Sequence, residues 1–357
     1  MREIKIGERE AGMRFSNYLK RILPEAPSGF IFKMLRKKNI TLNGAKSDGT
    51  DKIAAGDSVK LFLADDTLEK FGFRQAEPGP AERQEKDTAG LRAAVPAAAG
   101  AGDRRPLPAL KVLYENKDVI FFLKPAGLLS QKSAPEDISV NECLIDYLIR
   151  SGQITKSDLR LVRPSVCHRL DRNTSGVIGA GKTAAGLAML SALLSDRRLV
   201  KEYLCPVAGK VEKAGMYRAW LSKDHSGNIV SVKAEPPGDM IRTGITPLAY
   251  QDGITLLKVH LVTGKSHQIR AHLAAMGHPV LGDRKYGKEA FNRQFAPELP
   301  KYSLMLHSWR ITFPDAEDVP EDLRGRTITA PPSEAWKRRG GDCGRVVTAL
   351  LKTAELL

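Results

Sequence analysis

The sequence predicts an α+β protein, and three features of its 357 residues support this class. Beyond about residue 110, short stretches of alternating apolar and polar residues lie between turn residues, which is typical of β-strands. No strand–helix–strand period repeats there, which argues against a doubly wound parallel sheet. A smaller basic unit precedes this region, and the chain is long enough for two domains with buried cores.

The larger unit, residues 110–338, is predicted to contain several strands and a few helices. Its clearest strand is the apolar run VIFFL at residues 119–123, which follows a turn and ends at the sequence KPAG. A further pair of strands flanks the turn Asp252-Gly253. The strands are predicted at residues 119–123, 201–207, 228–233, 248–250 and 256–262, and the helices at residues 140–150, 184–194 and 266–276.

The smaller unit, residues 1–64, is predicted to hold two short helices and a small hairpin. One helical face carries Phe15, Leu19, Ile22 and Leu23, and a second helix begins at Ser28. A turn at Asn43-Gly44 and a strand over residues 58–63 follow. The basic residues of the second helix are Lys33, Arg36, Lys37 and Lys38. They suit an RNA phosphate backbone, and the alternative is an ordinary solvated lysine face.

Residues 65–109 are rich in Ala, Gly, Pro and charge, with an alanine-rich core at residues 93–102. Such a segment buries too little apolar surface to offset the ordering of its backbone, so we expect a flexible linker. It leaves the relative orientation of the two units open. Residues 339–357 are expected to form a tail that ends in a short helix over residues 346–356.

Charge and cysteine usage narrow the class of protein. The net charge of +15 and the pI near 9.6 indicate a polyanionic partner. Nucleic acid is favoured over a membrane, because no apolar stretch is long enough for a transmembrane helix. The first ten residues are charged and lack the apolar core of a signal peptide, so we expect a cytoplasmic protein. The four cysteines are too far apart for a disulfide framework or a zinc site, and we expect free thiols.

Residues 168–176, HRLDRNTSG, are the most informative motif because they place Asp171 between Arg169 and Arg172. Flanking guanidiniums favour the charged form of a carboxylate, and Asn-Thr-Ser-Gly is turn-forming. Asp171 is therefore a candidate nucleophile at the entrance of a strand. The alternative is a solvated turn with an incidental ion pair.

Residues 176–183 fit the phosphate-loop pattern G-x-x-x-x-G-K-[ST]. A nucleotide loop needs a hydrophobic strand directly before its first glycine, whereas residues 168–175 are polar. The apolar pair Val177-Ile178 falls inside the motif instead, where it predicts a strand. We therefore expect a strand here, and an NTPase is kept as a rival hypothesis.

Two further groups of residues are candidates for a role in the chemistry of the protein. Residues 263–273 open a helix in which His267 and Arg270 lie one turn apart. A metal is disfavoured, because the histidines of this region lack an obvious third ligand, whereas Arg270 near a helix start suits a carboxylate or phosphate. Tyr203, in the sequence Lys201-Glu202-Tyr203, is by itself more typical of a core residue. Cys167 beside His168 does not favour thiol catalysis, since neighbours on an extended chain face opposite ways.

In this order, the motifs resemble those of the RluA-type (RluA/RluC/RluD-like) pseudouridine synthases, most of all the RluC type. The matching motifs are residues 124–127, 168–176, 201–203, 264–270, 277–279, 282–283 and 306–307. The chain departs from the family at Asn173, where Asp is usual, at Lys265, where Arg is usual, and in its long linker. Residues 13–64 resemble the S4 RNA-binding domain.

The resemblance implies a mixed, mainly antiparallel catalytic sheet and the conversion of uridine to pseudouridine in 23S ribosomal RNA without a cofactor or metal. It gives Asp171 the role of nucleophile, Arg270 an ion pair with it and Tyr203 a place against the base. Attack at C1′, attack at C6 and a glycal path all stay open. The target base is expected to flip into the site. The residues expected to bind RNA are His168, Arg169, Arg172, Lys201, Lys265 and His267, with Lys33, Arg36, Lys37 and Lys38 of the N-terminal unit.

Rival functions follow from the same sequence. One is a transfer-RNA-directed enzyme of the same family, and another is a non-catalytic RNA-binding or ribosome-assembly factor. The expected partner is ribosomal RNA, free or in assembly intermediates, and a monomer is the simplest oligomeric state.

Overall fold

The computed structural model describes residues 1–73, 107–223, 230–295, 304–332, 336 and 341–356. Its strands form one sheet of three strands and one of eleven. Among the described strand pairs, only β7 with β13 is parallel, and the other pairs are antiparallel. The predicted α+β class with a mixed, mainly antiparallel sheet is confirmed.

The N-terminal unit contains the small sheet, with strands β1 (Arg2–Lys5), β2 (Ile40–Leu42) and β3 (Ser58–Leu61) in the order β1-β3-β2. Helices α1 (Phe15–Ile22) and α2 (Ser28–Arg36) form where the apolar spacing predicts them. Strand β1 was not predicted, because charged neighbours hide the alternation that buries Ile4 and Ile6.

One feature of this unit agrees with the expectation, and another differs from it. Strand β3 begins at Ser58, as predicted, and pairs antiparallel with β2, so the predicted hairpin is present with a long connection after the Asn43-Gly44 turn. The predicted linker start is wrong, because residues Asp65–Lys70 form helix α3, whose Leu68 is buried in the core of the unit. Acidic residues in the first turn of α3 complement the helix dipole there. The alanine-rich core of the predicted linker lies outside the described residues.

The N-terminal unit docks against the larger unit. Leu161 and Val162 of the larger unit are buried in the same apolar cluster as α1 and α2. The carbonyl of Arg9 accepts a hydrogen bond from the amide of Ala184 at 3.1 Å. Its guanidinium Nη1 lies 2.5 Å from Asp158 Oδ2. The orientation that the sequence left open is thus set by an apolar contact and an ion pair.

The large sheet has a central path of nine strands in the order β10-β9-β11-β12-β8-β13-β7-β5-β4, with β6 on β7 and β14 on β13. Its strands are β4 (Lys111–Glu115), β5 (Val119–Lys124), β6 (Ser165–Val166), β7 (Ser175–Gly181), β8 (Val200–Ala208), β9 (Gly215–Lys223), β10 (Val230–Lys233), β11 (Asp239–Gln251), β12 (Ile254–Leu261), β13 (His307–Thr312) and β14 (Thr327–Thr329). All five predicted strands are present, and β11 is much longer than predicted.

The remaining helices flank this sheet. They are α4 (Val140–Arg150), α5 (Ala184–Ser195), α6 (Gln268–Ala275), α7 (Glu289–Phe295) and α8 (Gly341–Thr353). The expected C-terminal tail contains a helix, as predicted, and this helix packs on the sheet, because Val347, Leu350 and Leu351 of α8 are buried with Ile254 and Leu256 of β12. No helix in the described ranges is long and apolar enough to cross a membrane.

Strand β7 occupies the centre of the sheet, and every one of its residues is buried. Gly176 has φ +114°, and a Cβ there would lie 2.1 Å from the carbonyl oxygen of Ser308 on β13. Glycine is therefore required by the close approach of the two strands. The phosphate-loop pattern is a strand, as predicted, and its lysine, Lys182, donates to Glu115 Oε1 and to the Asn116 carbonyl, both at 2.7 Å.

Candidate active site

A cleft of about 1060 Å³ lies where the loop before β7 faces the ends of α5, β8 and β12. It brings together Asp171, Tyr203 and Arg270, which lie far apart in the sequence. Six of the predicted RNA-binding residues also line it: His168, Arg169, Arg172, Lys201, Lys265 and His267. The basic residues of α2 do not line this cleft, and they are exposed on the N-terminal unit.

The loop that carries Asp171 is anchored at both ends. The Thr174 amide donates to the Asp171 carbonyl at 3.0 Å, which closes a turn around the aspartate. Just before it, the Ser130 hydroxyl donates to the Leu170 carbonyl at 2.8 Å and accepts from the Leu170 amide at 2.9 Å. These bonds hold the carboxylate at the edge of the cleft with little freedom of the backbone.

Lys124 also anchors the loop that carries Asp171. Its fully buried Nζ donates to the carbonyls of Pro125, Leu128 and Arg172 at 3.0, 2.7 and 3.0 Å. Burial lowers the pKa of Lys124 to about 7, and the charge of Asp171 partly opposes this effect. The KPAG motif contained this lysine, but sequence reasoning did not include it in the site.

Arg270 forms the predicted ion pair with Asp171, with 3.0 Å between Nη1 and Oδ2. The other edge of the guanidinium donates to Asp283, from Nε to Oδ2 at 2.7 Å and from Nη2 to Oδ1 at 3.0 Å. Burial acts to lower the pKa of Arg270, but its bonds to both carboxylates outweigh this and raise it. Arg270 is thus a permanent cation fixed between two aspartates.

The two arginines next to Asp171 in the sequence do not form the expected ion pair with its carboxylate in the described structure. Both Arg169 and Arg172 are exposed, and Nη2 of Arg172 lies 3.6 Å from Asp137 Oδ1. Among the described residues, the guanidinium bonded to Asp171 is that of Arg270. The expectation that flanking arginines hold the carboxylate is corrected, because a buried fork from α6 does so.

His267 faces the same carboxylate from the start of α6. It adopts a left-handed backbone, φ 56°, and its Nε2 lies 4.0 Å from Asp171 Oδ2. Its Nδ1 lies 2.8 Å from the hydroxyl of Tyr286, which accepts from the Val230 amide at 3.1 Å. The tyrosine proton is therefore available to Nδ1, an arrangement that favours a proton on Nε2, toward Asp171. Burial lowers the pKa of His267, although Asp171 opposes this effect.

Tyr203 forms part of the wall opposite the loop and is 5% exposed. Burial and the nearby charge of Asp171 raise the pKa of its hydroxyl, although Ser308 acts in the opposite direction. The ring is neutral and belongs to the main apolar cluster together with Leu261, Ile269 and Leu306. It therefore offers an apolar aromatic surface within reach of a charged carboxylate.

Like Arg172 and His267, the predicted RNA-binding residues His168 and Lys265 already have protein partners. His168 accepts a hydrogen bond from the Gly179 amide at Nε2, 3.0 Å, so its ring fastens the loop to β7. Burial and the charge of Lys201 lower the pKa of His168 to about 4, which keeps it neutral. Lys265 lies 2.9 Å from Asp239 at the rim of the cleft.

The described residues contain no group of three His, Cys, Asp or Glu side chains suited to a metal ion. Nδ1 of His272 lies 3.0 Å from the Thr243 hydroxyl, and that of His278 lies 2.8 Å from the Ala208 carbonyl. Cys167 lines the cleft, but burial raises the pKa of its thiol to about 12, which disfavours a thiolate nucleophile.

Comparison with known proteins identifies the family of the chain. The family model for RNA pseudouridylate synthase matches residues 118–275. The ribosomal large subunit pseudouridine synthase C of Rickettsia felis is 30% identical over 299 residues, which are 83% of this chain and 86% of that protein. The chain belongs to the RNA pseudouridylate synthase family. The ribosomal large subunit pseudouridine synthase D of Nitrosomonas europaea is 26% identical over 313 residues, 87% of this chain and 79% of that protein.

This pseudouridine synthase also shares its fold with a solved structure. The human RNA pseudouridylate synthase domain containing 1 aligns with a TM-score of 0.50 and 18% identity, over 70% of this chain and 97% of that one. The segment matched by the family model contains Asp171, Tyr203 and Arg270. The protein is an RNA pseudouridine synthase of the RluA type, close to the RluC enzymes, and the three residues lie together in its cleft.

Proposed function

We propose that this enzyme isomerises uridines of 23S ribosomal RNA to pseudouridine with Asp171 as its nucleophile. The observation that carries the proposal is the Asp171 carboxylate, held in an open cleft by the buried Arg270–Asp283 fork. Relatives of the chain are named ribosomal large subunit pseudouridine synthases C and D, which supports the RNA class.

The chemistry needs a carboxylate and an aromatic wall. The C1′–N1 bond breaks, the uracil turns, and its C5 joins C1′. C5 loses its proton and N1 gains one, so the product is an isomer and no net electron transfer occurs. Asp171 acts on the ribose or the base as a nucleophile, as carboxylates do in glycoside chemistry. Tyr203 stacks on the uracil and keeps it in the cleft while it turns. Arg270 orients the carboxylate through its bond to Oδ2.

The target uridine must leave its stack to reach Asp171. We propose that exposed Arg169 and Arg172, on either side of the aspartate, contact the RNA backbone or fill the space that the base leaves. The basic residues at the C-terminal end of α2 and just after it, Lys33, Arg36, Lys37 and Lys38, then add backbone affinity as in an S4 domain. We expect the enzyme to act as a monomer in the cytoplasm.

Incubation of the wild-type protein with a 23S ribosomal RNA transcript and with a transfer RNA pool tests the substrate. Pseudouridines are mapped by carbodiimide-dependent primer-extension stops. The proposal predicts new stops on the ribosomal transcript and none on transfer RNA. Stops on transfer RNA alone would assign the enzyme to the other substrate class, and stops on neither RNA would contradict the proposed activity.

A further inference from the structure

We propose that Arg197 and Lys201 form a phosphate-binding subsite that holds one phosphodiester of the RNA strand next to the flipped uridine. This inference rests on the proposed RNA substrate and deepens it. Both side chains line the cleft of Asp171, one at the end of α5 and the other on β8.

Eight of the described Lys and Arg residues line the cleft, and one of them, Arg169, is exposed beside Asp171, where it is already proposed to contact the RNA. Four of them contact carboxylates of the protein: Lys132, Arg172, Lys265 and Arg270. Among the described residues, neither Arg197 nor Lys201 forms an ion pair with Asp or Glu. An RNA phosphate entering the cleft meets these two as uncompensated charges.

Lys201 is unusual because its side chain is largely removed from water without an acidic partner. A Cβ added at Gly264 would lie 3.6 Å from its Nζ, so the ammonium group lies beside the turn after β12. Burial lowers the pKa of Lys201, and the like charge of Arg197 lowers it further. Burying an unpaired cation beside another cation is unfavourable unless an anion joins them.

Arg197 occupies a backbone position that usually belongs to glycine. Its φ is +58°, and the helix α5 ends in a Schellman motif, in which the Arg198 amide donates to the Leu193 carbonyl at 2.9 Å. A side chain in this left-handed conformation is strained. The Arg197 side chain is exposed and lines the cleft, so its guanidinium is placed to contact a ligand there.

The position of the pair identifies the part of the RNA that it holds. Lys201 and Tyr203 are two residues apart on β8, so their side chains leave the same face of the strand about 7 Å apart. Both line the cleft. With the uracil on Tyr203, a phosphate flanking that nucleotide lies opposite Lys201. Arginine and lysine together provide charge-assisted bonds to its oxygens.

The test measures binding of the full chain to the 23S transcript at several salt concentrations. The variants are Arg197→Gln, Lys201→Met, the double variant and Lys210→Met, whose lysine is exposed beside Glu212 outside the cleft. Loss of one phosphate contact reduces the slope of log K against log salt by about 0.7 to 0.9. We expect this reduction in the double variant and no change in Lys210→Met.

A second measurement separates ligand binding from structural support. Removing the unpaired buried charge in Lys201→Met is expected to raise the melting temperature of the free protein by about 2 to 4 °C, because the repulsion is relieved. A short synthetic RNA with a neutral methylphosphonate beside a modified uridine is expected to bind the wild type at least about tenfold more weakly than the normal RNA. The double variant should bind both RNAs equally.

The two proposals fail in different ways. A double variant with the wild-type salt slope overturns the subsite, and so does a lower melting temperature with an unchanged slope, because that is a structural role. The salt slope needs no turnover. If the slope changes as expected but no pseudouridine forms, the subsite stands and the proposed activity fails. If pseudouridine forms and the slope is unchanged, the subsite alone fails.

Discussion

Replacing Asp283 with Asn removes one of the two charges that fix Arg270. The Asp283 side chain is fully buried and accepts four bonds, two from Arg270 and two from the amides of Lys285 and Tyr286 at 2.8 and 3.1 Å. Asparagine keeps one acceptor oxygen but turns a donor amide toward the guanidinium. Arg270, only 11% exposed, then has Asp171 as its one anionic partner.

The size of the effect follows from this burial. Removing one member of a buried ion pair typically costs about 3–5 kcal/mol. Because Asn keeps part of the bonding, we expect the free energy of unfolding of Asp283→Asn to fall by about 3 kcal/mol, the lower end of that range. A misplacement of Arg270 by about 1 Å is expected to lower kcat about 100-fold. The affinity for RNA should stay unchanged.

The pH dependence gives a sharper signature. Burial acts to raise the pKa of Asp283, but the bonds from Arg270 outweigh it and lower the pKa. The stabilisation by this group is therefore complete above its unfolded pKa, about 3.9, and is lost as the pH falls through the lower folded value. Wild type and Asp283→Asn should differ most at neutral pH and converge below about pH 4.

Urea unfolding from pH 7 to pH 3 measures this difference. Asp318→Asn is the matched control, because Asp318 pairs with Arg198 on the exposed surface and should change little. A difference between wild type and Asp283→Asn below about 1 kcal/mol at pH 7 would refute the reasoning, since a buried pair costs more. A difference that persists unchanged into acid would refute the assignment to Asp283.

Three further substitutions test other parts of the structure. Gly176→Ala places a Cβ 2.1 Å from a backbone oxygen, so thermal unfolding should show a loss of folded protein. The control Gly29→Ala adds a Cβ with nothing within 4 Å and should stabilise α2 by about 0.5–1 kcal/mol. Equal effects of the two substitutions on stability would contradict the steric argument for Gly176. Arg9→Ala removes the guanidinium bonds to Asp158 and to the Gln153 carbonyl that help to dock the N-terminal unit, so small-angle scattering should show a larger radius of gyration at unchanged helicity. An unchanged radius would count against a role of Arg9 in docking. Lys182→Ala leaves Glu115 without its ion pair and should lower stability by about 2 kcal/mol. ATP hydrolysis by the wild type that disappears in this variant would revive the NTPase hypothesis.

Elements with a strong local signal were predictable from sequence. Helix α4 begins and ends at the predicted residues, because its apolar spacing and flanking polar residues agree. Strand β7 was recognised inside a nucleotide-loop pattern, because Val177-Ile178 indicated a strand. Strand β1 and helix α3 were missed, since each buries only one or two side chains among many charges.

Only site residues that lie inside the recognised motifs could be predicted from the sequence. The pairing of Asp171 with Arg270, 99 residues away, followed from family resemblance and not from spacing. The roles of Lys124, Asp283 and Tyr286 depend on burial and on partners from other elements, which no local pattern contains. The sequence did contain a signal for Asp283. It lies in the matched Gly282-Asp283 motif shortly after Arg270, and a carboxylate there is a candidate ion-pair partner for the arginine.

The central claim is that the carboxylate of Asp171 performs the isomerisation. The most direct measurement is pseudouridine formation by Asp171→Asn on the 23S transcript, beside Asp137→Asn, which removes a carboxylate that contacts Arg172. The account predicts no carbodiimide-dependent stops with Asp171→Asn, wild-type RNA affinity, and stops at the wild-type positions with Asp137→Asn. Stops that survive in Asp171→Asn would contradict the account.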